Sequence, residues 1–303
     1  MAFVKKMWGS YFMLLLVGIT HATTDNQATL NSGGANGPPN MGNFALPAPQ
    51  QPGPLISFGQ TLIGRNHLQV EADSFGNFPG NGVFQNLNAS MIFGVSDATA
   101  IYFNYPIQVD YSVRLTRLTA LQDATLQLEH AVYTAGTSSY QDQASVVGFV
   151  TLPLTTIDPT RKFPLGYGAP AYFLGATYNR TTVDWLGFVS PGVFLTTAHD
   201  HIQLGSQAIY QAGIGRNIMS ETNRYILMGL LEFDGQYTTK DKVLGHSLPN
   251  TGGNMIGLTP SLWFSTQQLI MQLGVGFPVV QNLNGKQKKT DYYVAASLTW
   301  TIA

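Results

Sequence analysis

Apolar and polar positions alternate in the closing stretch "DYYVAASLTWTIA". Tyr292, Val294, Ala296, Leu298, Trp300 and Ile302 form one set, and Tyr293, Ala295, Ser297, Thr299 and Thr301 the other. Strict period two predicts a β-strand with two unlike faces. The same pattern recurs from Gln60 onward in about twelve runs of about ten to fifteen residues, among them "FQNLNASMIFGV", "DATLQLEHAVYT", "RYILMGLLEFDGQYT" and "QLIMQLGVGFPVV". No long segment carries a helical period. Each run has the length that a tilted membrane strand requires.

The connections sharpen this reading. "SD", "TSSYQDQ", "RT", "SETN" and "TQ" alternate with longer polar stretches: "SFGNFPGNG", "DYSVRLTRLTALQ", "TIDPTRKFPLGYG", "AHDHIQ", "TKDKVLGHSLPNTGG" and "QNLNGKQKKT". Short and long links taking turns is the threading of an up-and-down barrel with an even number of strands. The predicted fold class is therefore all-β, a transmembrane antiparallel barrel of about twelve strands over residues 60–303.

Charge decides which face meets what. Only 10% of the 303 residues are charged, against about 25% in ordinary soluble chains, while 44% are hydrophobic. Mean hydropathy is only +0.04, too low for a helical membrane protein. If the apolar sets face outward, one run turns Arg65 and Glu71 inward, others Gln127 and Glu129, Gln211, and Glu232 and Asp234. These seven residues are the candidate lining of a solute path. Most other charges fall in links, as expected if a charge on the lipid face costs about 2–4 kcal/mol at mid-bilayer. A soluble sandwich would turn its apolar faces toward a shared core. Tyr105, Tyr133, Tyr178, Trp185, Tyr225, Tyr237 and Trp300 lie near run ends, where interface girdles belong.

The beginning of the chain fits export. Lys5 and Lys6 precede an apolar stretch from about Tyr11 to Ile19, and Thr20 and Ala22 are spaced as a signal-peptidase site. We expect residues 1–22 to be a signal peptide. Losing Lys5 and Lys6 would leave 13 basic residues against 16 acidic, with no basic surface for nucleic acid. Residues 23–59, rich in Asn, Gly and Pro, are expected to form a flexible segment, with a plug of the bore as the alternative.

The order of "LQDATLQLEHAVYT", "ASVVGFVTLPLT", "YILMGLLEFDGQY", "GLTPSLWFSTQQLIMQLGVGFPV" and "DYYVAASLTW" resembles the outer-membrane family named for the meta-pathway of phenol degradation. The resemblance covers the chain from about residue 58. It implies an outer-membrane barrel, associated with uptake of small, often hydrophobic compounds, and supplies no catalytic residues. Partners would be outer-membrane lipid, a small-molecule solute, and the barrel-assembly machinery reading the C-terminal strand. That last signal is displaced here, since Thr301, Ile302 and Ala303 follow Trp300.

With no cysteine there are no disulfides, thiolate metal sites or thiol nucleophiles. His246 and Ser247 in "LGHSLPN" lack the glycine-flanked elbow of a serine hydrolase, since Pro249 stands where the second Gly should be. His199 and His201 flank Asp200 without an evident third metal ligand. The expectation is a non-enzymatic barrel, without cofactor or metal, that passes or binds a small solute through a narrow polar lumen. The alternatives are a lipid-modifying hydrolase and a surface protein acting through outer loops such as residues 238–251.

Overall fold

The computed structural model describes residues 37–78, 82–113, 120–154 and 166–302. The signal-peptide expectation, with residues 23–36 of the flexible segment, lies outside them. Twelve long strands make the wall: β1 (Leu68–Phe78), β2 (Gly82–Ser96), β3 (Thr99–Val113), β4 (Ala124–Gly136), β5 (Tyr140–Leu152) and β6 (Ala171–Thr182). The remainder are β7 (Trp185–Thr196), β8 (Gln207–Glu221), β9 (Tyr225–Thr238), β10 (Gly253–Ser265), β11 (Leu269–Leu283) and β12 (Tyr292–Ile302). Each pairs antiparallel with its chain neighbours, and β1 pairs with both β2 and β12, so the sheet closes on itself. Closure gives every strand two neighbours and leaves no open edge in hydrocarbon.

Five connections of two or three residues lie at the end of the barrel where β1 begins and β12 stops. At the other end the links after β3, β5, β7, β9 and β11 run from eight to eighteen residues. The link after β1 is shorter than expected: β1 extends to Phe78 and β2 starts at Gly82, because "SFGNF" continues the ladder. In the outer membrane the short turns face the periplasm. On the opposite side Ile202–Gln203, Lys242–Val243 and His246–Ser247, from the links after β7 and β9, form a small three-stranded sheet.

The two faces separate as period two requires. Leu273 and Leu298 are 56% and 48% exposed on the outside, whereas their neighbours Gln272 and Ser297 are 8% and 9% exposed toward the bore. The outer face, with Val70, Met91, Leu128, Leu174, Leu195 and Leu231 among its exposed side chains, is an apolar belt that only lipid can cover. Tyr133, Tyr178, Trp185, Tyr237 and Trp300 are exposed on it near strand ends. His130 also points outward, paired with Thr99 at the periplasmic rim, its Nδ1 2.9 Å from the Thr99 hydroxyl. Asp142 and Arg180 face each other across β5 and β6 near the same rim, 2.6 and 2.7 Å apart in a forked pair, with the guanidinium over the Tyr140 ring. Among the described residues, these outward charges thus lie at the level of the headgroups.

Candidate functional site

The bore is filled by the chain's own N-terminal segment. Residues 37–59 had the composition of a flexible linker, yet from Gly42 onward they lie inside the barrel wall and are fastened to it. Short 3-10 turns at Gly42–Phe44 and Ala48–Gln50 start the segment at the periplasmic end. There the Asn43 N–H donates to Val183 O at 2.8 Å, and the Asn223 N–H to Ala45 O at 2.8 Å. Gly42 is required at this point: φ is +60°, and a Cβ would sit 2.0 Å from Val183 O. Phe44, Ala45 and Leu46 are buried. Ala45 and Leu46 pack on Ile226, beside a second buried set from the inner wall comprising Leu186, Phe188, Met228, Leu230, Trp263 and Ile270. The wall therefore carries an apolar inner stripe in its periplasmic half, and the plug rests against it.

From there the segment climbs to mid-height and crosses the bore. The Leu55 N–H donates to Glu232 Oε1 at 2.7 Å, and the Ile56 and Ser57 N–H groups to Oε2 at 3.1 and 3.0 Å, with the Ser57 hydroxyl adding a fourth donor at 3.0 Å. Three successive amides converging on one carboxylate form an anion nest. On the far side, Glu129 accepts from the Gln60 and Thr61 N–H groups at 3.0 and 2.8 Å, from the Thr61 hydroxyl at 2.6 Å and from Ser145. Glu232 and Glu129 are 0% and 1% exposed. A buried carboxylate is tolerated only when donors replace its lost water, and each charged hydrogen bond contributes about 1.5–3 kcal/mol. Strands β9 and β4 lie nearly opposite each other in the ring. The intervening residues 55–61 reach at most about 23–25 Å when extended, enough to bridge the bore from wall to wall.

The return arm descends along β1 and β2. Gly94 accepts this arm only because it has no side chain, since a Cβ there would lie 1.6 Å from Gly64 O. Gly64 and Asn66 have φ of +82° and +63°, so the alternation that appeared to continue back from β1 through Arg65 is not a strand. Arg65 is exposed in the turn before β1, its N–H donating to Asp97 at 3.0 Å. It does not face the lumen as expected, and the barrel begins at Leu68, not at residue 60.

The other sequence-derived candidates do point inward. Gln211 uses its Oε1 to accept the Phe58 N–H at 3.1 Å and donates to Asp234 at 3.3 Å. Asp234 also accepts from Thr259 at 3.1 Å and from the Ser57 hydroxyl at 3.4 Å. Gln127 is buried two positions from Glu129 on the same face, opposite Tyr102 and Phe149 in register. Glu71 accepts from Ser297 and Thr299 at 3.2 and 3.3 Å. Asp73, not singled out from sequence, stands beside it, paired in register with Asn88 and Ser297. A cavity of about 130 Å3 remains between plug and wall in the periplasmic half, lined by Gln51, Gln60, Gln141, Gln143, Asn179 and Thr181 among others.

Sequence reasoning missed an aromatic wall inside the outer half of the bore. Phe149 stacks on Phe173 at 4.4 Å between ring centroids and lies 5.7 Å from Phe194, which meets Tyr167 at 5.0 Å. Phe58, at the crest of the plug, meets Phe173 edge-on at 4.7 Å. The available signal was Phe173 and Gly175, then Gly192 and Phe194, each pair on one inward phase of adjacent runs. Burial of the Tyr167 hydroxyl, in the loop before β6, raises its pKa to about 12.

The hydrolase and metal candidates lie elsewhere. His246 and Ser247 are exposed in the small outer sheet. His199 approaches Asp200 at 3.3 Å in an exposed turn, where Asp200 and His201 adopt φ of 47° and 64°.

No protein-family model matches the chain, and no curated protein matches it by sequence. Solved structures do. The fold is similar to the crystal structure of an outer membrane channel from Pseudomonas putida F1, with a TM-score of 0.64 over 83% of this chain and 99% of that one, at 11% identity. Weaker likenesses are to the NanC porin (TM-score 0.48, 8% identity, 76% and 98% covered) and to LpxR from Salmonella typhimurium (0.43, 8%, 77% and 99%). The chain is an outer-membrane β-barrel. Its architecture is the one that the sequence resemblance implied.

Proposed function

We propose that this barrel conducts a small solute across the outer membrane and is closed at rest by residues 37–67 of its own chain. The observation that carries the reading is the pair of carboxylate clamps, Glu232 on one wall and Glu129 on the other, holding one crossing segment. A permanent core would not need to be attached through polar clamps that water can replace. The aromatic wall gives apolar solutes a foothold above the plug, and the inward Glu71, Asp73 and Asp234 disfavour anions. The reading is of a conduit, not of an enzyme. We also propose that β12, which closes the seam against β1, is the strand that the assembly machinery takes.

Planar-bilayer recording tests this. Protein lacking residues 37–66 should conduct in long open events, while the intact chain should open rarely. Replacing Ser57 and Asp234 by Cys and joining them with a short bifunctional thiol reagent should hold the intact chain shut, in a background free of other cysteines. Equal conductance of intact and truncated protein would defeat the reading.

A further inference from the structure

Gly175 and Gly192 are a directly opposed pair across β6 and β7, both on the inward face. A Cβ on Gly175 would lie 2.7 Å from Phe58 Cε2 and Cζ, and one on Gly192 would lie 3.1 Å from Phe58 Cζ and 2.4 Å from the Phe173 ring. The missing side chains leave a flat recess in the wall, with Phe173 beside it and Phe149 stacked behind. The Phe58 ring at the crest of the plug shares that recess with the Phe173 ring, which lies over both glycines. Polar groups stand at its edge. Gln211 Oε1 accepts the Phe58 N–H, and the Ser190 hydroxyl, 0% exposed and without a hydrogen-bond partner, is opposite Gln211 in register and two residues from Gly192 on the same face.

We propose that this recess is a binding subsite for a small solute with a planar ring and an adjacent hydrogen-bonding group, and that Phe58 occupies it as an internal competitor. The inference rests on the plugged-conduit reading and names its solute class. Phe58 presents a ring with an N–H beside it, and both are satisfied by the wall. A free solute offering the same two features can meet the Phe173 ring edge-on as Phe58 does and can pair with Ser190 as well, which Phe58 leaves unpaired. Because ring and plug crest cannot share the space, occupancy by solute lifts the crest. Binding and opening are then a single event.

The test uses benzyl alcohol as planar probe and cyclohexylmethanol as its non-planar counterpart, on detergent-purified full-length protein. Titration calorimetry should show benzyl alcohol binding at least tenfold more tightly to Phe58→Ala than to the intact chain, because the competitor is gone. Cyclohexylmethanol should show no such gain. Gly192→Ala, which narrows the recess, should reduce benzyl alcohol binding at least tenfold in the Phe58→Ala background, with heat-dependent gel mobility confirming a folded barrel. In bilayers, benzyl alcohol should raise the opening frequency of the intact chain severalfold. Equal affinity of intact and Phe58→Ala protein, or equal gains for both alcohols, would overturn the proposal even if the truncated barrel conducts. Tighter planar-selective binding by Phe58→Ala, with no conductance from any variant, would uphold the subsite and remove the conduit.

Discussion

The Ser57 amide donates to Glu232 at 3.0 Å across a sequence separation of 175 residues. A residue from the most linker-like part of the chain thus supplies the donor for one of the most deeply buried charges. The Glu232 carboxyl, 0% exposed, would lack partners without that donor and its neighbours, and the segment would have no fixed path without Glu232. Each side of the contact accounts for the other.

Glu232→Gln keeps the shape but removes the charge and places an amide N–H where one of the donors points. Hydrogen exchange at Leu55, Ile56 and Ser57 should accelerate about ten- to hundredfold, matching the loss of one charged hydrogen bond at about 1.5–3 kcal/mol. Amides in β12 should exchange as before. Unchanged exchange at all three plug amides would show that the clamp does not hold the crossing.

The lipid-facing phase predicts an asymmetry between adjacent residues. Leu273→Arg should destabilise the barrel in vesicles by about 2–4 kcal/mol in denaturant titration. Gln272→Ala, on the opposite face, should leave the wall within about 1 kcal/mol of the parent, since its side chain bonds only Gly53 and Pro54 of the plug at 3.3 Å.

The bore should prefer cations once it is open. In the barrel lacking residues 37–66, reversal potentials under a potassium chloride gradient should show cation selectivity. Glu71→Gln combined with Asp73→Asn should lower it, because both carboxylates line the stretch of wall that removing the plug opens, between the rungs that hold Pro49 and Gly53. A ratio unmoved by the double replacement would place selectivity elsewhere.

The outer sheet should respond to pH through Asp241. Burial raises the pKa of its carboxyl from 3.8, against the opposing effect of the Gly205 N–H that it accepts at 2.7 Å. A carboxyl with a raised folded pKa favours the folded loop at low pH, and that contribution is lost as pH climbs from the unfolded value through the folded one. Asp241→Asn keeps an acceptor for Gly205 without the charge. The variant should resist proteolysis at residues 239–252 better than the parent at neutral pH. The two should converge below about pH 4.

The inward positions of Glu71, Gln127, Glu129, Gln211, Glu232 and Asp234 were legible because a strand's two faces are fixed by parity, which is local. Arg65 was misplaced for the same reason. Its stretch alternates like a strand, but Gly64 and Asn66 at positive φ end the extension, and only the close approach to Gly94 demands that. The aromatic wall was overlooked because a lumen was expected to be polar throughout. Phe149, Phe173 and Phe194 are inward because the plug and one another cover them.

By itself, then, the sequence determined the strands, their number, which faces take lipid and that the wall belongs in the outer membrane, since period two and low charge act residue by residue. What fills the bore was decided only by tertiary structure. A segment rich in Pro and Gly has no packing preference of its own, and its path was set when Glu232, Glu129 and the glycine recess were brought around it by closure of the wall.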